Sequence, residues 1–312
     1  MNTKPTIDEL FEQRITYPDF DARDRLARLV GLDEKIGSLS KILGLLVNSN
    51  GLVNWANKYH SGADQIVNMI LRRPPLVVLA GDVGSGKSEL AETIGDAVAH
   101  QEDIEITLLP LSLSSRGQGR VGEMTQLVSS AFEYTVAEAE KLKSTSGPAR
   151  GGVILLVDEA DALAQSREAA QMHHEDRAGV NAFIRGIDRI ANGHLPAAVI
   201  MCTNRVNALD PAIKRRAAEI LTFSRPDENQ RNAVLNGPLI QLGFQQEHVK
   251  HFVKATGPNG QRKYGFTFSD LTQRLIPAIV LDAYPNNAIS PKRALEVTNQ
   301  IIPTSPFNEE VA

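Results

Sequence analysis

The sequence is poor in several residue types, and each shortage excludes a class of protein. Its 312 residues include one cysteine, Cys202, so no disulfide can form within the chain and a disulfide-rich secreted scaffold is excluded. No apolar run approaches the length of a membrane-spanning helix, and residues 1–25 are polar and rich in Asp and Arg, unlike a signal peptide. We therefore expect a cytoplasmic protein that has no membrane partner.

An excess of charge of one sign is also lacking. The chain has 33 Lys and Arg against 37 Asp and Glu, and its 42% hydrophobic and 22% charged residues are typical of a globular protein. Because the basic residues are dispersed, we do not expect nucleic acid as a partner, although a local basic pore in a ring stays an open alternative. The Cys and His residues show no metal-ligand spacing.

The most informative pattern is Gly81-Asp-Val-Gly-Ser-Gly-Lys-Ser88, which directly follows the apolar run Leu76–Ala80 and matches G-x-x-x-x-G-K-[ST]. Its glycines allow backbone N–H groups to surround a β-phosphate at a helix N-terminus, where an anion is favoured. A glycine turn without a ligand is the alternative. Lys87 is expected to contact the β- and γ-phosphates as part of the catalytic machinery, and Ser88 to bind Mg²⁺. The predicted ATP-binding residues are Gly81, Asp82, Val83, Gly84, Ser85, Gly86, Lys87, Ser88 and Glu89.

Two further apolar runs end in polar residues. Val153–Val157 has no alternation, which is typical of a strand buried on both faces, and it is followed by Asp158 and Glu159. Asp158 would hold Mg²⁺, and Glu159 would orient and deprotonate the attacking water. Asn204, after the next apolar run, would contact the γ-phosphate or that water. The alternatives are an ordinary helix start at the acidic pair and an Asn that caps a turn.

Strands that alternate with helices up to residue 223 predict an α/β fold with a five-stranded parallel sheet flanked by helices. Beyond Pro226 the spacing of apolar residues is entirely helical, which predicts a small helical lid domain. The predicted organisation is a polar leader at 1–24, an ATPase domain at 25–224, the lid at 225–302 and a disordered tail at 303–312.

The P-loop, the acidic pair, Asn204 and the run Leu209–Ala217 before a helical lid together resemble the AAA+ ATPases, over nearly the whole chain. The resemblance implies ATP as substrate, Mg²⁺ as cofactor and a homo-hexameric ring. It also implies that an arginine, Arg215 or Arg216, completes the neighbouring subunit's site as a catalytic finger. The alternative for these two residues is a solvated basic turn.

Within the AAA+ ATPases, the segments 158–167, 180–190 and 210–217 are similar to the pachytene-checkpoint remodellers, which act on HORMA-domain proteins. Close bacterial members are associated with HORMA proteins and CD-NTase-type nucleotidyltransferases in anti-phage CBASS systems. The resemblance implies a ring that threads or partly unfolds a HORMA-domain protein. It would thereby disassemble the HORMA complex with the second-messenger synthetase and switch the synthetase off.

The sequence departs from that family in two places. Where the family has a Gly-Arg pair with a nucleotide-sensing arginine, this chain reads Phe268-Ser-Asp270, and Arg274 or Arg293 could substitute. The pore loop, which usually carries an aromatic residue, is predicted at Arg120, Val121 and Gly122. A second polar loop, 165–177, is long enough to face the same pore.

Two other classes of function remain as alternatives. An AAA+ loader or switch would grip nucleic acid in its ring, with Arg72, Arg73, Arg116 and Arg120 as a basic lining. A nucleotide-gated scaffold would bind ATP with negligible turnover. The intact Glu159 argues against the scaffold, because a scaffold needs no catalytic base.

Overall fold

The structure is a computed structural model, and it describes residues 10–113, 123–144, 147–164, 174–205, 209–260 and 262–307. The chain forms two compact units. The first consists of the described residues within Met1–Arg28, Glu34–Ala80 and Ser88–Thr222. The second consists of those within Leu29–Asp33, Gly81–Lys87 and Phe223–Ala312, so it contains residues 81–87 of the P-loop together with the C-terminal helices.

A six-stranded sheet with the order β1-β3-β4-β5-β2-β6 organises the first unit. Its strands are β1 (Ile15–Tyr17), β2 (Leu76–Gly81), β3 (Ile106–Ser112), β4 (Gly152–Asp158), β5 (Ala197–Thr203) and β6 (Ala217–Phe223). The pairs β3–β4, β4–β5 and β5–β2 are parallel, and every residue of β2 and β5 is buried. The predicted α/β class is therefore confirmed, and each of the five predicted strands is present in the sheet.

The predicted strand count is corrected by β1, an antiparallel edge strand that pairs Ile15 with Leu108 of β3. It lies inside the predicted polar leader. Tyr17 is fully buried, and its hydroxyl donates a hydrogen bond to the carbonyl oxygen of Glu92. The Tyr17 ring packs where a side chain on Gly95 would stand, since a Cβ there would lie 2.3 Å from the ring. A three-residue strand is too short to produce a recognisable alternation of apolar and polar residues.

Helices cover the sheet of the first unit. In chain order they are α1 (Phe20–Ala27), α2 (Asp33–Val47), α3 (Ser49–Tyr59), α4 (Asp64–Leu71), α5 (Lys87–Glu102), α6 (Glu123–Leu142), α7 (Asp161–Ala164), α8 (His174–Gly193) and α9 (Pro211–Lys214). Helices α6 and α8 pack closely because Gly186 leaves room for the Phe132 ring, which also meets Phe183 edge-on at 5.5 Å. Among the described residues no single helix is long and apolar enough to span a membrane; α2 and α3 meet that test only together, across a 102° bend.

The second unit is helical beyond β6, as predicted for the lid. Its helices are α10 (Glu228–Gln241), α11 (Gln246–Ala255), a π-helical turn (Asp270–Leu275) that continues into α12 (Ile276–Ala283), and α13 (Pro291–Gln300). A capping box between Asp227 and Gln230 starts α10, and the Ser290 side chain caps α13. The core of this unit comprises Leu235, Leu239, Phe252, Phe266, Leu271 and Leu275, among others.

Asp270 is a buried carboxylate at the centre of this helical unit. It accepts hydrogen bonds from the backbone N–H groups of Thr267 and Thr304, both at 3.0 Å, and from the Thr304 hydroxyl at 2.7 Å. Arg274 adds an ion pair at 2.6 Å. Residues 303–307, inside the predicted disordered tail, are thus joined to the unit through Thr304. Burial alone raises the pKa of Asp270, but the donors from Thr267, Thr304 and Arg274 outweigh it and hold the pKa below its usual value.

We expect Asp270→Asn to destabilise the protein by about 3 kcal/mol at pH 7, because an amide cannot accept from all of these donors. A carboxylate whose pKa is lowered on folding contributes stability above its unfolded pKa of ~4 and loses it as pH falls through the folded pKa. Thermal unfolding of wild type and variant should therefore differ at neutral pH and converge in acid. Asp282→Asn, which also removes an arginine partner but at an exposed site, is the control. Equal stability of Asp270→Asn and wild type at pH 7 would contradict this role.

Candidate active site

The P-loop has the backbone that its glycines predict. Gly81, Gly84 and Gly86 have φ of 158°, 67° and 90°. A Cβ on Gly81 would lie 2.0 Å from the carbonyl oxygen of Phe223, and one on Gly84 would lie 2.8 Å from the Thr267 hydroxyl. Larger residues are therefore excluded at these two positions by close approach and, at Gly84, also by a left-handed backbone.

Lys87 is the first residue of α5, and its side chain lies within the loop. The ammonium group donates to the carbonyl oxygens of Gly81 at 3.0 Å and Asp82 at 2.7 Å, and the residue is only 7% exposed. Ser88 follows in the first turn of α5. A buried cation at the N-terminus of a helix provides a site for phosphate oxygens.

Asp82 connects the P-loop with the helical part of the second unit, through a partner that no sequence pattern indicates. Arg225 donates to the Asp82 carboxylate at 2.7 Å and to the carbonyl oxygens of Gly265 and Thr304, each at 2.7 Å. The carbonyl oxygen of Gly84 accepts from the N–H of Ser269 at 3.1 Å. The P-loop is thus held by residues 225–304 of its own unit. The carboxylate of Glu89, which is also predicted to bind ATP, is paired with Arg25 at 2.8 Å.

Asp158 and Glu159 lie where β4 ends. The Asp158 carboxylate is half-buried and accepts from the N–H of Glu159 at 2.8 Å, while the Glu159 side chain is exposed. Glu159 has φ of 50°, a conformation that non-glycine residues rarely adopt and that occurs most often at functional sites. This strained backbone conformation exposes the Glu159 carboxylate to solvent at the edge of the sheet where the parallel strands end.

Asn204 follows β5, the neighbour of β4, and Asp161 fixes its side chain. The Asn204 amide nitrogen donates to Asp161 at 3.1 Å, and its backbone N–H donates to the same carboxylate at 2.7 Å. The Thr203 hydroxyl adds a third donor at 2.7 Å. Because β5 pairs with both β4 and β2, Asn204 and Asp158 lie at the edge where β2 leads into the P-loop. Sequence analysis missed Asp161, whose only signal is its place three residues after Asp158.

The two candidate finger arginines differ in their contacts. Arg216 makes a two-pronged ion pair with Asp188 of α8, at 2.7 and 2.9 Å, and also donates to the carbonyl oxygen of Ala212 at 3.3 Å. These hydrogen bonds from Arg216 to Asp188 raise the pKa of the guanidinium above its usual value. Arg215 is exposed, and its side chain has no hydrogen bond or ion pair within the described part of the chain.

The two lid arginines offered as replacement sensors have partners in the second unit. Arg274 is paired with Asp270, and Arg293 is paired with Asp282 at 2.7 Å and Glu296 at 3.1 Å. The predicted pore residues Arg120, Val121 and Gly122 lie outside the described residues, as does most of the second loop.

The residues at this edge suit a metal that is shared with a substrate. Across the ranges that the structure describes, no group of three or more Cys, His, Asp or Glu side chains could hold a metal ion alone. Mg²⁺ typically takes one or two carboxylates and completes its shell with substrate phosphates and water. One carboxylate, Asp158, and one hydroxyl, Ser88, fit that pattern.

Comparison with known proteins agrees with this architecture. The family model of the ATPase family associated with various cellular activities (AAA) matches residues 77–225. CD-NTase-associated protein 6 of Escherichia coli strain MS 115-1 is 68% identical over 98% of this chain and 99% of its own length. A chain in the solved E. coli MS115-1 HORMA:CdnC:Trip13 complex is 67% identical, with a TM-score of 0.90 over 98% of this chain and 100% of that chain.

A second solved structure, Rhizobiales Trip13, is 57% identical with a TM-score of 0.74, covering 95% of this chain and 100% of its own. The two likenesses span the sheet, the P-loop and the C-terminal helices alike. The chain therefore belongs to the family of CD-NTase-associated protein 6, and its residues 77–225 match the AAA family of ATPases.

Proposed function

We propose that this protein is a Mg²⁺-dependent ATP hydrolase that acts in the cytoplasm as a homo-hexameric ring and remodels a HORMA-domain protein. It would have an ATPase domain at 25–224 and a lid at 225–302. The observation that carries this proposal is the likeness, over nearly the full length, to a chain solved in complex with HORMA and CdnC. By disassembling such a complex with a CD-NTase-type nucleotidyltransferase, the ring would restrain an anti-phage CBASS response.

The chemistry rests on positioning and on charge stabilisation. P-loop N–H groups and Lys87 bind the phosphates. Ser88 and Asp158 would hold Mg²⁺, which when bound would neutralise charge on the phosphates. Glu159 orients the attacking water and accepts its proton. Asn204 contacts the γ-phosphate or the water through the amide N–H that Asp161 leaves free, so Asp161 is a positioning residue.

Arg215 is the trans-acting finger in this proposal, and Arg216 positions it. Arg216 would have to leave a charge-assisted, two-pronged pair with Asp188 before it could contact a phosphate in another subunit. Arg215 has no such partner to leave. The ion pair between Arg216 and Asp188 instead anchors the turn to α8, so that the exposed Arg215 side chain projects into solvent from a fixed backbone.

Mixing variants tests this assignment. Inactive Arg215→Ala subunits should regain ATPase activity when mixed with inactive Lys87→Ala subunits, because some mixed interfaces pair an intact P-loop with an intact Arg215. Asp188→Ala and Arg216→Ala should lower kcat by similar factors with little change in KM, and the double variant should be no worse than either single one. If Asp188→Ala retained full activity while Arg216→Ala lost it, Arg216 would be the finger.

Exposed apolar side chains support an assembly of identical subunits. On α3 and α4, Trp55, Tyr59, Ile66 and Met69 are 50%, 59%, 57% and 67% exposed. In the second unit, Leu281 and Tyr284 are 66% and 72% exposed. Two different apolar patches on one chain suit a head-to-tail contact between copies, the type of interface that closes rings.

A substrate trap tests the remodelling proposal. Tagged Glu159→Gln protein, which should hold ATP without hydrolysing it, would be purified with ATP from its native host, and the co-purifying proteins would be identified by mass spectrometry. We expect a HORMA-domain protein, with or without a nucleotidyltransferase. The Lys87→Ala protein, which should not bind ATP, is the control. Nuclease-sensitive DNA with replication proteins in its place would support the loader.

A further inference from the structure

A cavity of about 560 Å³ lies in the first unit, at the edge of the sheet opposite to Asp158 and Asn204. Pro75, just before β2, and Ala197, the first residue of β5, contribute to its wall. The remaining wall comes from the ends of α2, α4 and α8, the start of α3, and the segment after α6. No part of the ATP-hydrolysing machinery proposed above lines it.

The lining of this cavity is basic. Arg72, Arg73, Lys143 and His194 line it, and no Asp or Glu occurs among its described lining residues. Two of these cations have partners: Lys143 donates to the carbonyl oxygen of Gly193 at 2.7 Å, and Arg73 donates to that of Ala218, with Glu219 3.8 Å away. Part of this charge is therefore used within the protein, by Lys143 at the end of α8 and by Arg73 at β6.

The positive charge of Arg72 is not explained by a contact of this kind. Its side chain has no hydrogen bond or ion pair among the residues that the structure describes, although it lines the cavity beside Arg73. Although the net charge of the chain is −4, positive charge is concentrated in this cavity. The Arg72 guanidinium there is available to bind a ligand. Guanidinium groups bind phosphate oxygens in a two-pronged geometry.

Asn48 provides an independent sign of a ligand. It lines the cavity, is 5% exposed, and donates from its amide nitrogen to Glu102 at 3.0 Å, while its amide oxygen has no hydrogen-bond partner. A buried polar atom without a partner is rare in native proteins and indicates a missing partner. Asn48 also precedes α3 without capping it, so the N–H groups at the start of that helix lack a side-chain acceptor.

We propose that this cavity binds a small phosphate-bearing ligand of nucleotide size. Its volume is within the range of small-molecule sites. Arg72 and Arg73 contact the phosphate, and the side-chain amides of Asn48 and Asn68, each with donor and acceptor atoms, suit the polar edge of a base. A polymer is disfavoured, because the other basic residues are dispersed along the sequence and the net charge of the chain is −4.

Calorimetric titration of the full-length protein tests this site. The Lys87→Ala background removes phosphate binding at the P-loop, and the probes are AMP and inorganic pyrophosphate. We expect one ligand per subunit, with Arg72→Glu weakening binding at least about tenfold. Since the exposed Arg72 side chain makes no hydrogen bond or ion pair among the described residues, its replacement should leave the fold and the basal ATPase rate of the otherwise wild-type protein unchanged. Lys58→Ala, which removes an exposed cation of α3 outside the cavity, is the control.

The possible outcomes separate cleanly. Binding of AMP or pyrophosphate that Arg72→Glu weakens and Lys58→Ala does not would support the proposal. Absence of binding to either probe at about 1 mM, or binding that Arg72→Glu leaves unchanged, would overturn it. Affinity that rises steadily with the length of a single-stranded oligonucleotide would also overturn it in favour of a nucleic-acid surface. None of these results depends on whether the protein hydrolyses ATP or remodels a HORMA-domain protein.

Discussion

Glu159→Gln should bind ATP as tightly as the wild type and hydrolyse it at least ~100-fold more slowly. The substitution keeps the size of the side chain and removes the group that accepts a proton from water. Among the described residues the Glu159 side chain makes no hydrogen bond or ion pair, so the change should not spread beyond the catalytic step. ATP affinity and single-turnover hydrolysis, measured on the same preparation, separate the two effects.

Glu105→Gln is a matched control for this variant. Glu105 is exposed, lies just before β3, and makes no side-chain ion pair with the described residues, so its substitution should change neither binding nor turnover. Loss of ATP binding in Glu159→Gln would mean that the residue supports the nucleotide site. Near-normal turnover would remove it as the base and bring back the possibility that another carboxylate activates the water.

Lys87→Ala should lose effective ATP binding: we expect its affinity for ATP to be at least ~100-fold lower than that of the wild type. The Lys87 ammonium is the cation inside the P-loop, within hydrogen-bond distance of the carbonyl oxygens of Gly81 and Asp82. Without it, phosphate oxygens would meet the loop N–H groups but no positive charge. Equilibrium binding of a fluorescent ATP analogue measures the loss directly.

A binding defect in Lys87→Ala must be separated from a folding defect, because the side chain is buried. Circular dichroism and the thermal unfolding midpoint should show that the variant is folded. Lys214→Ala, an exposed lysine in α9, provides the same chemical change away from the loop. Tight ATP binding by a folded Lys87→Ala protein would contradict the assignment of this loop as the phosphate site.

Much of the fold follows from patterns that are local in the sequence. The apolar runs at Leu76–Ala80, Val153–Val157 and Ala197–Thr203 are long enough to identify buried parallel strands, and the structure has all three. The edge strand Ile15–Tyr17 has three residues among polar neighbours, so only its pairing with β3 defines it. Within the part beyond Pro226, which the spacing of apolar residues predicts to be helical, Asp270–Leu275 form a π-helical turn, a departure that no residue pattern signals.

Residues of the candidate site could be predicted where they belong to a local motif. They could not be predicted where their role depends on a tertiary contact. Asp158, Glu159 and Asn204 were predicted as site residues because each stands just after an apolar run, and the structure places them at the ends of β4 and β5. Asp161 orients Asn204 from 43 residues away, a relationship that depends on the pairing of β4 with β5. The partner of Arg216, Asp188, lies on a different helix, so the sequence alone left both finger arginines as candidates.

The central claim is that ATP turnover by this protein is coupled to a folded HORMA-domain protein. The most direct measurement is the steady-state ATPase rate of the wild type with increasing amounts of a HORMA-domain protein bound to its nucleotidyltransferase, in parallel with DNA at physiological salt. We expect the protein complex to raise kcat severalfold and to come apart, DNA to have no effect, and Glu159→Gln to abolish both changes. Stimulation by DNA, with no response to the HORMA-domain complex, would contradict it.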